Sequence, residues 1–208
     1  MNGFEVLRHA LNADTALAGD IAVRRASVCV LVAGADRTPG VCLIRRAKWA
    51  GDPWSEHIAL PGGSRAGNET PVETVRREVR EELGISIADT EELTALPQLS
   101  IRLAGRERTL LLDSFVCHVT GPVPTLRCSP EIHSAFWVPV TDLWHPMNLD
   151  CLVLGDRGDT LVYPALRLLQ GKVFGITLRV LTLLSDRLGF PLLHLEEIPG
   201  LRREGVRC

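Results

Sequence analysis

An α/β sandwich around a mixed sheet is the fold class this sequence predicts, and three observations predict it. Apolar, β-branched runs of strand length recur along the chain, beginning with Ala26 to Ala33 (ASVCVLVA). Two stretches of helical period, over 71–83 and 176–188, are set among them. The chain has 208 residues and is 46% hydrophobic, enough to bury an ordinary core. Strands that outnumber the helices and interleave with them are satisfied when the helices cover a sheet.

The elements follow in order. Phe4, Leu7, Leu11 and Leu17 recur at helical spacing and predict a short amphipathic helix over 3–18. After the strand at 26–33, Asp36 to Gly40 supplies a turn and Val41 to Ile44 a second strand, so the two form a hairpin. Residues 48–57 (KWAGDPWSEH) are a polar loop, and Ile58 to Leu60 a short strand running into Pro61-Gly62-Gly63. A helix spans Pro71 to Leu83, with proline suited to its first turn and Gly84 to its C-terminal cap. Val72, Val75, Val79 and Leu83 line one side of it. Further strands are expected at 96–103, 109–119, 134–140 and 161–166, with Arg106 in a turn and a short helix near Asp142. The main domain is expected over 25–190, between an N-terminal helical extension (1–24) and a tail (191–208).

Composition excludes several classes. A formal charge of -2 offers no bulk attraction for nucleic acid or a membrane surface, so neither is an expected partner. Charges near Met1 leave no signal-peptide core, and no run reaches the roughly 18 apolar residues of a membrane helix. A cytoplasmic protein is the expectation. None of the six cysteines forms a C-x-x-C pair, and Cys29, Cys42 and Cys117 lie in apolar runs, which predicts buried free thiols.

The chemistry concentrates at 63–85. On a helix Glu78, Glu81 and Glu82 share a face, because they are three and four residues apart. Like charges at that spacing repel, so a compensating charge is needed. Arg77, four residues before Glu81, can grip a carboxylate with its planar fork. A hard divalent cation such as Mg²⁺ or Mn²⁺ is the other natural partner for clustered carboxylate oxygens. The glycines preceding the helix allow backbone to approach such an ion closely. In most proteins a run like RREVREEL is only a solvated helix face with internal ion pairs.

The segment from Gly63 to Ile85 matches the pattern G-x5-E-x7-R-E-U-x-E-E-x-G-U, with U aliphatic, at every specified position. Gly63, Glu69, Arg77, Glu78, Glu81, Glu82 and Gly84 fill the invariant positions, and Val79 and Ile85 the aliphatic ones. In this it resembles the Nudix box. The resemblance implies a Nudix-type α/β/α sandwich and a pyrophosphohydrolase that uses Mg²⁺ or Mn²⁺ on a nucleotide-like diphosphate. It implies Glu78, Glu81 and Glu82 as metal ligands, with a backbone carbonyl at Gly63 beside them. Glu81 or Glu82 would orient or deprotonate water, Arg77 would brace the helix, and Glu69 would be structural. Glu131, in Ser129-Pro-Glu-Ile-His133, is similar to a loop glutamate that serves catalysis in some relatives.

Beyond the box, Leu43-Ile-Arg-Arg46, Tyr163-Pro-Ala165 and Val173-Phe-Gly-Ile-Thr-Leu-Arg179 resemble the coenzyme A pyrophosphatase-like branch. Asp52 and Glu56 stand where that branch has an arginine and a glycine. Coenzyme A, a dinucleotide polyphosphate and a nucleotide sugar all remain open as the substrate's type. Arg45 and Arg46 are candidate phosphate contacts, of which strand alternation allows one to face the site. Trp54, with Trp49, is a candidate for stacking on a base. His57 and His133 are expected to be ordinary surface histidines. The alternative is a catalytically silent nucleotide-binding domain that regulates a partner, and a homodimer is compatible with the hydrolase reading.

Overall fold

The computed structural model describes residues 22–34, 39–52, 54–88, 91–102, 108–154 and 161–188. The helix expected at 3–18, the turn at Arg106 and the tail from 191 lie outside the described residues. Contacts divide the described chain into two compact units, one ending at Val140 and one beginning at Thr141.

The first unit is built on an eight-stranded mixed sheet in which β3 (Ile58–Ala59), β2 (Gly40–Arg46), β1 (Ala22–Ala33), β7 (Arg108–His118) and β5 (Leu93–Ala95) are successive neighbours. Three more strands extend it: β4 (Gly62–Ser64) pairs with β1, β6 (Leu99–Arg102) with β7, and β8 (Ile132–Pro139) with β2. The β1–β7 pair is parallel and holds a continuous register from Ala22↔Arg108 to Val32↔His118. The other pairs are antiparallel, which makes the sheet mixed as expected. β1 and β2 pair through Val32↔Val41 and Ala33↔Gly40, the expected hairpin partners.

Residues 29–31 of β1 and 41–44 of β2 are buried on both faces, which explains the apolar composition there. Cys29, Leu31, Cys42 and Ile44 on one face pack with Val75, Val79 and Leu83 of helix α1 (Pro71–Leu83). Val30, Val41 and Leu43 on the other face are equally buried. The three core cysteines are free thiols, as expected.

The second unit holds the short helix α2 (Val140–Leu143, its first residue at the join), a 3-10 turn at Pro146–Asn148 and an antiparallel sheet of β9 (Leu149–Leu154), β10 (Leu161–Leu168) and β11 (Gly171–Phe174). Helix α3 (Gly175–Leu188) packs on β10 and β11. Strands β4, β5, β9 and β11 go beyond the sequence expectation. β4, β5 and β11 are only three or four residues long, too short for a periodic pattern to be legible, and β4 and β5 pair with strands distant in sequence. Among the described residues no helix is long and apolar enough to cross a membrane.

Candidate active site

Helix α1 is held in place at both ends. Thr70 caps its N-terminus, accepting from Glu73 N at 3.2 Å, while Glu73 Oε2 accepts from Thr70 N at 2.7 Å. This reciprocal pair satisfies two of the backbone donors a helix start leaves over. Gly84 ends the helix in the left-handed conformation (φ 68°) and donates its N–H to Arg80 O. Apolar Val75, Val79 and Leu83 face the sheet, so the intervening charged residues are carried along one flank.

Arg77 is the hub of that flank. Its Nε and Nη2 grip Glu69 at 2.7 and 3.1 Å. Nη1 is shared by Glu78 Oε1 (2.9 Å) and Glu81 Oε2 (3.0 Å), and Nη2 also reaches Ser64 O at 3.1 Å. A lysine has no fork with which to hold this set. The guanidinium contact, aided by Ala66 N–H, holds the Glu69 carboxyl down at about 2, and Glu69 in return raises the Arg77 pKa. Arg77 thus joins the glycine loop to the helix.

The three glutamates differ in environment. Glu82 is 4% exposed and accepts the Gly62 N–H at 2.9 Å. Burial pushes its carboxyl up to about 8, with Glu78 and Glu131 adding to the rise and Arg46 opposing it. Burial also raises Glu78, against the pull of Arg77. Glu81 is the open member, its side chain 54% exposed. Gly63 lies against Glu78: an added Cβ there would come 2.6 Å from the carboxylate carbon. Gly62 is at φ 143° with Val28 backbone packed beside it, so neither position accommodates a side chain.

Glu131 is exposed and reaches this cluster through its loop. Ser129 N donates to Glu82 O at 3.0 Å, Arg127 N to Leu83 O at 2.9 Å, and Ala47 N to Glu131 O at 2.8 Å. The loop is therefore sewn to the end of α1, and the Glu131 charge is felt by both Glu78 and Glu82.

Of the two arginines on β2, Arg46 lies just past a register shift in the pairing with β8, and its charge acts on Glu82. Alternation puts Arg45 with Val41 and Leu43. Arg46 is also bound to Asp52, through Nη2 at 2.9 Å and Nε at 3.3 Å. Trp49 and Trp54 are 58% and 37% exposed. His57 is half-buried beside Asp52 and Arg46, and burial lowers its pKa. His133 is exposed.

One grouping was missed from sequence. Arg65 Nη2 binds Asp113 Oδ2 at 3.0 Å, and Gln98 Nε2 binds Asp113 Oδ1 at 2.8 Å. These residues lie on three separate segments, and no local pattern joins them.

The donor set suits a hard divalent cation: oxygens only, with Glu78 and Glu82 on one helix flank, Glu131 near both, and glycine backbone alongside. Among the described residues no three acidic, histidine or cysteine side chains already form a cage. The reason is visible in the bonds: Arg77 holds oxygens of Glu78 and Glu81, while the Gly62 N–H holds Glu82.

The sequence matches the family described as NUDIX domain over residues 23–155. The chain belongs to the Nudix family. The carboxylate helix is therefore a Nudix helix, and the glycine loop before it is part of the Nudix box. The chain is 34% identical over 145 residues to the uncharacterized protein C14C4.10c of Schizosaccharomyces pombe, a match covering 59% of this chain and 44% of that protein. A MutT/nudix family protein from Enterococcus faecalis has a similar fold, with a TM-score of 0.51 and 19% identity over 84% of this chain and 61% of that one. The chain thus spans less than two thirds of the length of each.

Proposed function

We propose that this Nudix protein is a pyrophosphohydrolase that uses Mg²⁺ or Mn²⁺ to cleave the diphosphate linkage of a nucleoside diphosphate derivative. The Arg77 network carries the reading, because it fixes the glycine loop and the acidic flank of α1 as one rigid piece. Glu78, Glu81 and Glu82, with the Gly63 carbonyl, would hold the cation. When bound, it would neutralise diphosphate charge and make water easier to deprotonate.

The protein's own groups account for the rest. Glu131, on the loop tied to the end of α1, accepts the proton of the attacking water; Glu81 and Glu82 orient that water. Arg77 positions the carboxylates. Arg46 contacts a substrate phosphate, with Arg45 the less favoured candidate. Trp54 lies at the rim for the organic group. The catalytic domain is assigned to 25–190. Coenzyme A, dinucleotide polyphosphates and nucleotide sugars are the substrate types to test, and Asp52 and Glu56 weigh against the first.

The test is a panel of these compounds with Mg²⁺ or Mn²⁺, with products identified and chelator as control. Turnover lost with chelator and reduced about 10²–10⁴-fold by Glu131→Gln is expected. Tight nucleotide binding with no turnover of any compound would instead establish a silent domain.

A further inference from the structure

The loop between β2 and β3 is more ordered than its polar composition requires. Asp52 N donates to Trp49 O at 3.3 Å, Ser55 N to Asp52 O at 3.1 Å, His57 N to Trp54 O at 3.2 Å, and Arg46 N to His57 O at 3.0 Å. Trp49 N donates to Ser55 Oγ at 3.0 Å. Glu56 adopts φ 63° and is the non-glycine residue with positive φ among the described residues. Such a conformation persists where surrounding bonds over-determine it.

The Asp52 carboxylate is the node of this loop. One oxygen accepts from Trp54 N at 3.0 Å, and the other takes Arg46. The base of the loop is joined to the site through Ala47 N–Glu131 O, and the Glu131 segment through Ser129 N–Glu82 O. A loop so restrained nevertheless leaves two large rings in solvent, Trp49 and Trp54. Two exposed rings on a hydrogen-bonded loop that also holds Arg46 suit a flat apolar group attached to a diphosphate.

We propose that Asp52 is a positioning residue for substrate selection: it locks Arg46 and the Trp49–Trp54 loop into one unit that receives the nucleobase of the substrate. The inference rests on the nucleoside diphosphate reading above and adds the residue that sets the spacing between phosphate and base. Arg46 offers its remaining donors to phosphate while Asp52 engages its Nε and Nη2, and the spacing from phosphate to base is set by the loop. Loss of the Asp52 charge loosens that spacing while leaving the hydrogen bonds of the helix glutamates to Arg77 and Gly62 in place.

The experiment uses the full chain with Mg²⁺ and two probes of matched phosphonate chemistry, α,β-methylene-ADP and base-free methylenebisphosphonate. Stacking on one ring corresponds to about tenfold tighter binding of the base-bearing probe. That preference is expected in the wild-type protein and should fall to about twofold in Asp52→Asn and in Trp49→Leu/Trp54→Leu. With a hydrolysable nucleoside diphosphate derivative, Asp52→Asn should raise KM severalfold and leave kcat close to wild type, a split that general misfolding does not produce. Equal affinity for the two probes in the wild type, or a preference unchanged in both variants, overturns the proposal. If base-free diphosphate diesters are cleaved as well as nucleotide ones, hydrolysis stands and the nucleobase clamp falls. If neither probe binds and nothing is cleaved, both readings fall together.

Discussion

Gly63 shows how much depends on a single missing carbon. The space its Cβ would occupy is filled by the Glu78 carboxylate. Gly63→Ala must push that carboxylate away from the loop, at a cost of about 1–3 kcal/mol for an overpacked site. Activity should fall far more than stability, as turnover and denaturation midpoints measured on one preparation would show; full activity in this variant would mean that Glu78 is not held where the site needs it. Glu56 is the opposite case, a side chain where glycine would be relaxed. Its ion pair with Lys48 is long (3.9 Å) and exposed, so little is lost by removing it. Glu56→Gly is expected to stabilise the protein by about 1 kcal/mol, read from urea denaturation, because the left-handed strain of a non-glycine residue is relieved. A destabilised variant would show that the backbone there is not strained.

At the scale of elements, helix α1 carries its function because capping, packing and ion pairing agree on one register. Thr70 and Glu73 set its start, Gly84 its end, and the valine stripe its rotation about the axis. The three-stranded sheet of the second unit depends more on charge. Asp150 on β9 binds Arg167 of β10 and Lys172 of β11, each at 3.0 Å. Partial burial pushes its carboxyl up, but the two cations outweigh this and hold it at about 2, against an ordinary 3.8. A carboxyl depressed on folding stabilises the fold fully above its unfolded pKa, and that contribution is lost as pH falls through the folded one. The difference in stability between wild type and Asp150→Asn should therefore be constant from about pH 5 to 7 and shrink below about pH 4. A difference that stays the same at pH 3 would mean that the cross-strand pairs are not formed.

For the molecule as a whole, the packed core makes a chemical prediction. Burial pushes the Cys42 thiol up to about 12 and raises Cys29 as well. Cys29, Cys42 and Cys117 are buried, whereas Cys128 is exposed. Iodoacetamide at pH 8 should alkylate Cys128 in the native protein and reach the other three only after denaturant is added, as peptide mass spectrometry would resolve. Equal labelling rates without denaturant would contradict the packing of β1, β2 and β7 against α1.

What this sequence determined alone was whatever is local in the chain. Helix 71–83 was legible to the residue, since its cap, stripe and terminal glycine are adjacent in sequence, and so was the set of carboxylates spaced along it. The apolar runs within β1 and β7 were legible because buried strand positions favour apolar, β-branched residues. The tertiary structure alone decided which strands are neighbours, and hence that Gly62 meets Glu82, that the Glu131 loop is tied to the end of α1, and that Asp52 occupies Arg46. It also decided that Arg77 already holds two of the glutamates, where the spacing on its own suggested a ready cage. Short strands such as β4 and β5, and the Arg65–Asp113–Gln98 group, left no local signal. Their partners lie far along the chain, and propensity over a few residues cannot encode a contact made across a sheet.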